Sequence, residues 1–223
     1  MAKYIAHHLK FKHPFTAMVC GPSGSGKSEL TRRIIAEFEN TTDIKKKSIK
    51  VLWCYSLIES IKTINSAQVE VSYYQGLPEI STIRVEHPDI LVLDDLMTEV
   101  SNNEKVAELF TRTSHHLNVS VFLLLQNIFQ RGNAMRNISL NTKYLIIFKS
   151  VRSISQFKAL ASQTSLKFSK LVSAFRQETK RPFGYLIIDL TQDTPDEIRI
   201  RSRVTSEELP VNYLYKYAPK VYK

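Results

Sequence analysis

The chain alternates short apolar runs with stretches in which apolar residues recur every three or four positions. The first pattern is typical of strands buried in a parallel sheet, and the second is typical of amphipathic helices. We therefore expect an α/β fold with a mainly parallel central sheet flanked by helices and a C-terminal β-hairpin. The predicted strands cover residues 15–20, 49–54, 69–74, 89–95, 119–126, 143–148, 184–190 and 198–204. The predicted helices cover 29–39, 57–64, 79–86, 103–116, 154–162 and 167–180.

A glycine-rich loop follows the first predicted strand and precedes the first predicted helix. It fits G-x-x-x-x-G-K-[ST], the phosphate-binding loop of P-loop NTPases, in the strand–loop–helix context that this motif requires. Its glycines allow successive amide N–H groups to point at an anion at a helix N-terminus. We predict that Lys27 contacts the β- and γ-phosphates of ATP and that Ser28 ligates Mg²⁺. The predicted nucleotide-binding residues are Gly21, Pro22, Ser23, Gly24, Ser25, Gly26, Lys27 and Ser28.

Two carboxylates, Asp94 and Asp95, end the predicted strand 89–95. The carboxyl ends of parallel strands meet at the edge of the sheet where the phosphate loop also lies. We expect Asp94 to hold Mg²⁺ and Asp95 to act as the catalytic residue that orients and deprotonates the attacking water. Many ATPases of this type have glutamate at the second position, which leaves the nearby Glu99 as an alternative for this role.

The next predicted strand ends in an amide, Gln126. A glutamine there is well placed to bind the γ-phosphate or the lytic water and to report hydrolysis, and the alternative is a structural glutamine at a strand end. Two strands separate the phosphate loop from the acids along the chain, and Gln126 follows them. This order is that of the additional-strand P-loop NTPases of the RecA/FtsK-like type.

The protein is basic, with 31 Lys and Arg against 21 Asp and Glu and a net charge of +10. The excess lies at the two ends, with 10 basic against 5 acidic residues in 1–60 and 13 against 7 in 151–223. Such a surplus favours a polyanionic partner such as DNA, with a solvated basic surface as the alternative. Cys20 and Cys54 end predicted strands, which indicates small core residues in a reducing compartment. The apolar runs are too short to span a membrane and no signal peptide is apparent, so we expect a soluble intracellular protein.

Several segments together resemble the FtsK/HerA-type genome-packaging ATPases of double-stranded DNA viruses, and they are most similar to the form carried by Polintons (Mavericks) and adintoviruses. The resemblance extends from about residue 15 to residue 203. Two departures stand out: relatives often have Gly-Arg-His where this chain has 114–116, and Pro-Arg-Asp where it has 151–153. The segments that carry the resemblance are 110–121, 125–129, 136–141, 149–156, 160–163, 184–190 and 199–201.

This resemblance implies a homo-oligomeric ring of about five or six subunits that threads double-stranded DNA into a viral capsid. In such rings an arginine from the neighbouring subunit stabilises the charge on the transferred phosphoryl group, an effect worth ~10³–10⁵ in rate. Arg136 is the first candidate for this catalytic arginine and Arg152 is the second. Arg131 and Arg112 follow as weaker candidates.

The predicted organisation is a basic N-terminal arm (1–14), an ATPase domain (15–204) and a tail rich in Tyr and Lys (205–223) that docks on a capsid, stacks on nucleic acid or packs on its own domain. Arg199, Arg201 and Arg203 alternate along the last predicted strand and so are expected to share one face. They would bind phosphates in a pore, bind acids of a neighbour or protect a sheet edge. Two other functions stay open, a small-molecule or nucleotide kinase and a nucleotide-gated scaffold that binds DNA or capsid without turnover.

Overall fold

The computed structural model describes residues 10–57, 62–128, 132–150, 157–160, 162 and 168–206. The strands in these ranges are β1 (Thr16–Cys20), β2 (Ile49–Tyr55), β3 (Val69–Gln75), β4 (Ile90–Asp94), β5 (Ser120–Leu125), β6 (Tyr144–Phe148), β7 (Tyr185–Asp189) and β8 (Ile200–Arg201). The helices are α1 (Lys27–Ala36), α2 (Phe38–Thr41), α3 (Ile80–Glu86), α4 (Met97–Val100), α5 (Glu104–Glu108), α6 (Ser114–Leu117), α7 (Asn133–Leu140) and α8 (Phe168–Glu178).

All eight strands form one sheet in the order β3-β2-β4-β5-β1-β6-β7-β8. The first six strands in this order, β3 through β6, are parallel to one another. In contrast, β7 is antiparallel to β6 and forms a C-terminal hairpin with β8. The predicted α/β fold with a mainly parallel sheet and a terminal hairpin is therefore confirmed. One strand, β5, lies between β1 and β4, which is the additional-strand arrangement.

The central strands β1, β4, β5 and β6 are buried on both faces, which explains why they appear in the sequence as continuous apolar runs, whereas the edge strand β3 is only half-buried. Successive side chains of β1 point to opposite faces, so that Met18 and Cys20 join one core cluster while Ala17 and Val19 join the other. Cys20 and Cys54 are 1% and 0% exposed, as expected for core residues. No helix in the described part of the chain is long and apolar enough to cross a bilayer.

Four predicted elements differ from the structure in detail. The helix predicted over 29–39 is divided at Glu37 into α1 and α2. The helix predicted over 103–116 contains a π-helical turn, Leu109–Thr113, between α5 and α6. The strand predicted over 198–204 is reduced to the two residues of β8, because a 3₁₀ turn (Asp196–Ile198) precedes it. The helix predicted over 57–64 falls partly outside the described residues, and residues 62–64 are not helical.

Arg201 is buried at the base of the terminal hairpin and not displayed on an exposed face. It is 3% exposed, and its Nη2 lies 3.5 Å from Oδ2 of Asp189, which is fully buried. Its guanidinium lies 5.4 Å from the ring centres of Phe11 and Tyr144. Phe11, which belongs to the predicted arm, is itself fully buried, while residues 1–9 lie outside the described ranges.

The two flanking arginines are also held within the domain. Arg199 Nη1 donates to Thr191 O at 2.5 Å, and Arg203 Nε donates to Glu178 Oε2 at 3.0 Å. Glu178 is fully buried. The expectation that Arg199, Arg201 and Arg203 share one face of a strand is therefore wrong, because β8 contains only Ile200 and Arg201, and the three guanidinium groups contact different partners within the domain.

Candidate nucleotide-binding site

The predicted phosphate loop connects β1 to α1 at the carboxyl edge of the parallel strands. Gly26 is the N-cap of α1 and has a φ of +99°, a left-handed conformation that favours glycine. A Cβ on Gly21 would lie 2.7 Å from Phe148 Cβ, so only glycine allows this close approach to β6. The first-turn N–H groups of α1, which lack partners within the helix, are thereby available to an anion.

Lys27 begins α1 and its side chain folds over the loop. Its Nζ donates to Gly21 O at 2.9 Å and to Pro22 O at 3.1 Å. Burial lowers the pKa of Lys27, and the carboxylates of Asp94 and Asp95 oppose that shift by favouring the ammonium form. The cation therefore lies within electrostatic reach of both acids that end the β4 segment.

Ser28, in the first turn of α1, and Asp94, at the end of β4, act on each other electrostatically. Asp94 is 5% exposed. Burial raises the pKa of Asp94, while the Ser28 hydroxyl and the Lys27 charge lower it in part. Asp94 Oδ2 is buried and has no hydrogen-bond partner among the described residues. A hydroxyl and a carboxylate with a spare buried oxygen are hard oxygen donors, and they fit Mg²⁺.

Asp95 follows β4 directly and has a φ of +56°. Aspartate is one of the few residues besides glycine that tolerate this conformation, and strain of this kind often occurs at functional positions. Asp95 is exposed, and its charge acts on Lys27. Glu99 is exposed in the short helix α4. The assignment of the attacking water to Asp95 stays a prediction.

Gln126 is the first residue after β5 and is exposed. Cys20 pairs with Leu125, and Gly21 N donates to Leu125 O at 3.1 Å, so Gln126 lies beside the start of the phosphate loop. On the other side of β5, Asp94 pairs with Leu124. The sheet order thus brings the amide between the phosphate loop and the acids, which the linear sequence separates widely.

The candidate arginines differ in their surroundings. Arg136 is exposed on α7, and its side chain has no ion-pair partner within the described ranges. Arg112 is bound to Glu108, with Nη2 and Oε1 2.6 Å apart. Arg152 and Arg131 lie outside the described residues. Arg136 therefore keeps a guanidinium available to another molecule.

A cleft of about 670 Å³ opens beside the phosphate loop. Lys27 and Ser28 line one end, and Phe183 and Tyr185 line the side formed by β7 and the turn before it. This second wall was not predicted from the sequence. The run Arg-Pro-Phe-Gly at 181–184 was its only signal, since an exposed aromatic in a proline–glycine turn is unusual for a residue that serves only folding.

These features define a P-loop NTPase fold of the additional-strand class. No family model and no curated protein matches the sequence. Among solved structures, the DNA-packaging ATPase B204 of Sulfolobus turreted icosahedral virus is 13% identical to this chain, with a TM-score of 0.56 over 90% of this chain and 100% of that chain. The genome packaging NTPase B204 of Sulfolobus turreted icosahedral virus 2, in complex with sulfate, is 13% identical, with a TM-score of 0.54 over 89% and 97%. Its complex with ATP-gammaS is 12% identical, with a TM-score of 0.54 over 89% and 98%. At these identities the likeness establishes the shared fold.

Proposed function

We propose that this protein is an ATP-hydrolysing translocase that packages double-stranded viral DNA into a capsid as a homo-oligomeric ring of about five or six subunits. The phosphate loop, in which the left-handed Gly26 caps α1 directly before Lys27, carries the ATPase part of the proposal. The likeness over nearly the full length of two viral packaging NTPases supports the packaging part. We place its action inside the host cell, in the nucleus or cytoplasm, and in the virion.

In this proposal each residue has one task. The loop amides and Lys27 hold the β- and γ-phosphates of ATP, and Ser28 and Asp94 hold Mg²⁺, which neutralises phosphate charge when bound. Asp95 orients the attacking water and accepts its proton. Gln126 hydrogen-bonds the γ-phosphate and changes partner after hydrolysis.

The test is steady-state ATP hydrolysis by the purified protein with and without long double-stranded DNA, at low and moderate salt. We expect Mg²⁺-dependent turnover that DNA stimulates, with the stimulation weakening as salt rises because phosphate contacts release counterions. The Lys27→Ala protein should lose turnover at both salt concentrations. Turnover that ignores DNA but rises with a small phosphate acceptor would favour a kinase, and DNA binding without turnover would favour a scaffold.

A mixing experiment tests the ring and Arg136 together. In a ring with an arginine supplied in trans, a Lys27→Ala subunit still offers its arginine, and an Arg136→Ala subunit still has its own phosphate loop. An equal mixture of these two inactive proteins should recover about a quarter of the wild-type rate, since a quarter of adjacent pairs combine the intact parts. Arg112→Ala, at an arginine tied to Glu108, is the matched control and should keep most activity alone. An Arg136→Ala protein with full activity would remove Arg136 from catalysis.

A further inference from the structure

The turn before β7 holds an aromatic residue in a strained position. Gly184 N–H donates to Arg181 O at 3.2 Å and closes a four-residue turn with Pro182 second and Phe183 third. Phe183 has a φ of +55°. The third position of a turn with this geometry normally carries glycine or asparagine, because a Cβ there is crowded. A phenylalanine in that position needs a reason other than the turn itself.

Burial does not supply that reason, because Phe183 is 68% exposed. Its ring instead lies at the phosphate loop: a Cβ built on Gly26 would be 3.4 Å from Phe183 Cδ1. Phe183 also lines the same cleft as Lys27 and Ser28. A strained, exposed aromatic ring therefore forms one wall of the cleft whose other end holds the predicted phosphate site.

We propose that Phe183 is the platform on which the nucleobase of the bound nucleotide stacks. This inference rests on the proposed ATP binding and assigns a residue to the base. An exposed aromatic face gains contact area only when a ligand covers it, and nucleobases stack on such faces regardless of their edge groups. Backbone strain at a ligand site is consistent with this role.

The cleft also predicts which bases bind. Glu29 is the one carboxylate among the described residues that line it, and its oxygens accept from Arg32 Nη2 at 2.9 Å and Arg33 Nε at 3.3 Å. Guanine is read through hydrogen-bond acceptors at its edge, and the one carboxylate in this lining is already engaged by two arginines of α1. Stacking area then decides affinity, so ATP and GTP should bind within a few-fold of each other and more tightly than CTP and UTP.

The test compares ATP with inorganic tripolyphosphate, which occupies the phosphate end but carries no base, by calorimetric titration of the full chain. We expect Phe183→Ala to weaken ATP binding by about 10- to 100-fold and to leave tripolyphosphate binding unchanged. Phe183→Trp should retain ATP affinity. Phe183→Gly should weaken ATP binding as much as Phe183→Ala does. It should unfold at a higher temperature than Phe183→Ala, because glycine relieves the strained φ. Phe168→Ala, at an exposed aromatic outside this cleft, is the matched control and should change neither ligand.

Four results would overturn the inference, and the fourth of them would overturn the proposed ATPase function too. Equal losses for ATP and tripolyphosphate would mean that Phe183 only supports the phosphate loop through Gly26. Unchanged ATP affinity in Phe183→Ala would mean that the base lies elsewhere. A wild-type protein that binds tripolyphosphate as tightly as ATP would leave the phosphate site standing and remove any base platform. If the wild type binds neither ligand, the proposed ATPase function fails as well. If it binds both ligands equally, only the base platform fails.

Discussion

Replacing Arg201 with methionine tests whether the terminal hairpin depends on a buried ion pair. Arg201 is 3% exposed and Asp189 is fully buried, so the substitution leaves a buried carboxylate without its guanidinium. Breaking a buried pair from one side typically costs about 3–5 kcal/mol. Asp189 keeps hydrogen bonds from the hydroxyls of Thr191 at 2.6 Å and Thr194 at 3.1 Å. We therefore expect the lower end of that range, about 3 kcal/mol of unfolding free energy.

Urea unfolding and thermal melts of purified proteins measure this change. For a chain of this length, a loss of about 3 kcal/mol lowers the melting temperature by roughly 6–12 °C. Arg112→Met is the matched control, because its ion pair with Glu108 is on the surface and its side chain is 70% exposed. Exposed pairs of this spacing contribute only about 0.3–0.5 kcal/mol.

The buried Arg201–Asp189 pair also predicts a partial rescue of stability. Adding Asp189→Asn to Arg201→Met removes the isolated charge, so the double variant should regain part of the lost stability. The buried-pair account is refuted if Arg201→Met and Arg112→Met lose the same small amount of stability. A stable Arg201→Met protein with strongly weakened DNA binding would instead restore the interpretation of this arginine as a phosphate ligand.

Three further predictions concern a buried carboxyl, the two buried thiols and two glycines. Burial raises the pKa of Asp94, so the stability that its protonated form contributes is complete below the unfolded-state pKa and is lost as the pH rises through the folded-state pKa. Asn resembles the protonated carboxyl. Asp94→Asn should therefore unfold at a higher urea concentration than wild type at about pH 8 and lose that advantage below about pH 4. Burial raises the pKa of Cys20 to about 12 and also raises that of Cys54, so a thiol reagent should label neither until the protein is unfolded, and rapid labelling of the native protein would contradict this. Gly132→Ala should lower the unfolding free energy by about 3 kcal/mol or more, since its Cβ would lie 2.1 Å from Ser101 O. Gly76 also has a positive φ but has open space around it, so Gly76→Ala should cost about 1–2 kcal/mol. Equal losses of stability in the two variants would refute the steric argument.

Much of the fold followed from the sequence because its signals are local. A buried parallel strand such as β4 needs an unbroken apolar run, and the phosphate loop is a contiguous motif. Asp94 and Gln126 could be placed near the loop because both end buried strands, and parallel strands deliver their ends to one edge. The side-by-side position of Gln126 and Gly21 needed only the strand order that the additional-strand class supplies.

The features that sequence reasoning missed depend on contacts between distant segments. An alternating row of arginines looks like an exposed strand face, and only the contact with the buried Asp189 at the end of β7 shows that Arg201 is buried. The π-helical turn at Leu109–Thr113 has no local sequence rule that separates it from an α-helix. The role of Phe183 could not be inferred until the turn that holds it was seen against the phosphate loop.

The single reversal of strand direction explains how that turn reaches the site. In a purely parallel sheet, each strand begins at the edge opposite the one where the phosphate loop lies. β7 is antiparallel to β6, and Tyr185 at its start pairs with Phe148 at the end of β6. The turn that enters β7 is therefore delivered to the edge where β1, β4 and β5 end. The parallel strands supply the phosphate loop at one end of the cleft, and the antiparallel strand supplies its aromatic wall, so the reversal of β7 is what places both walls around one cleft.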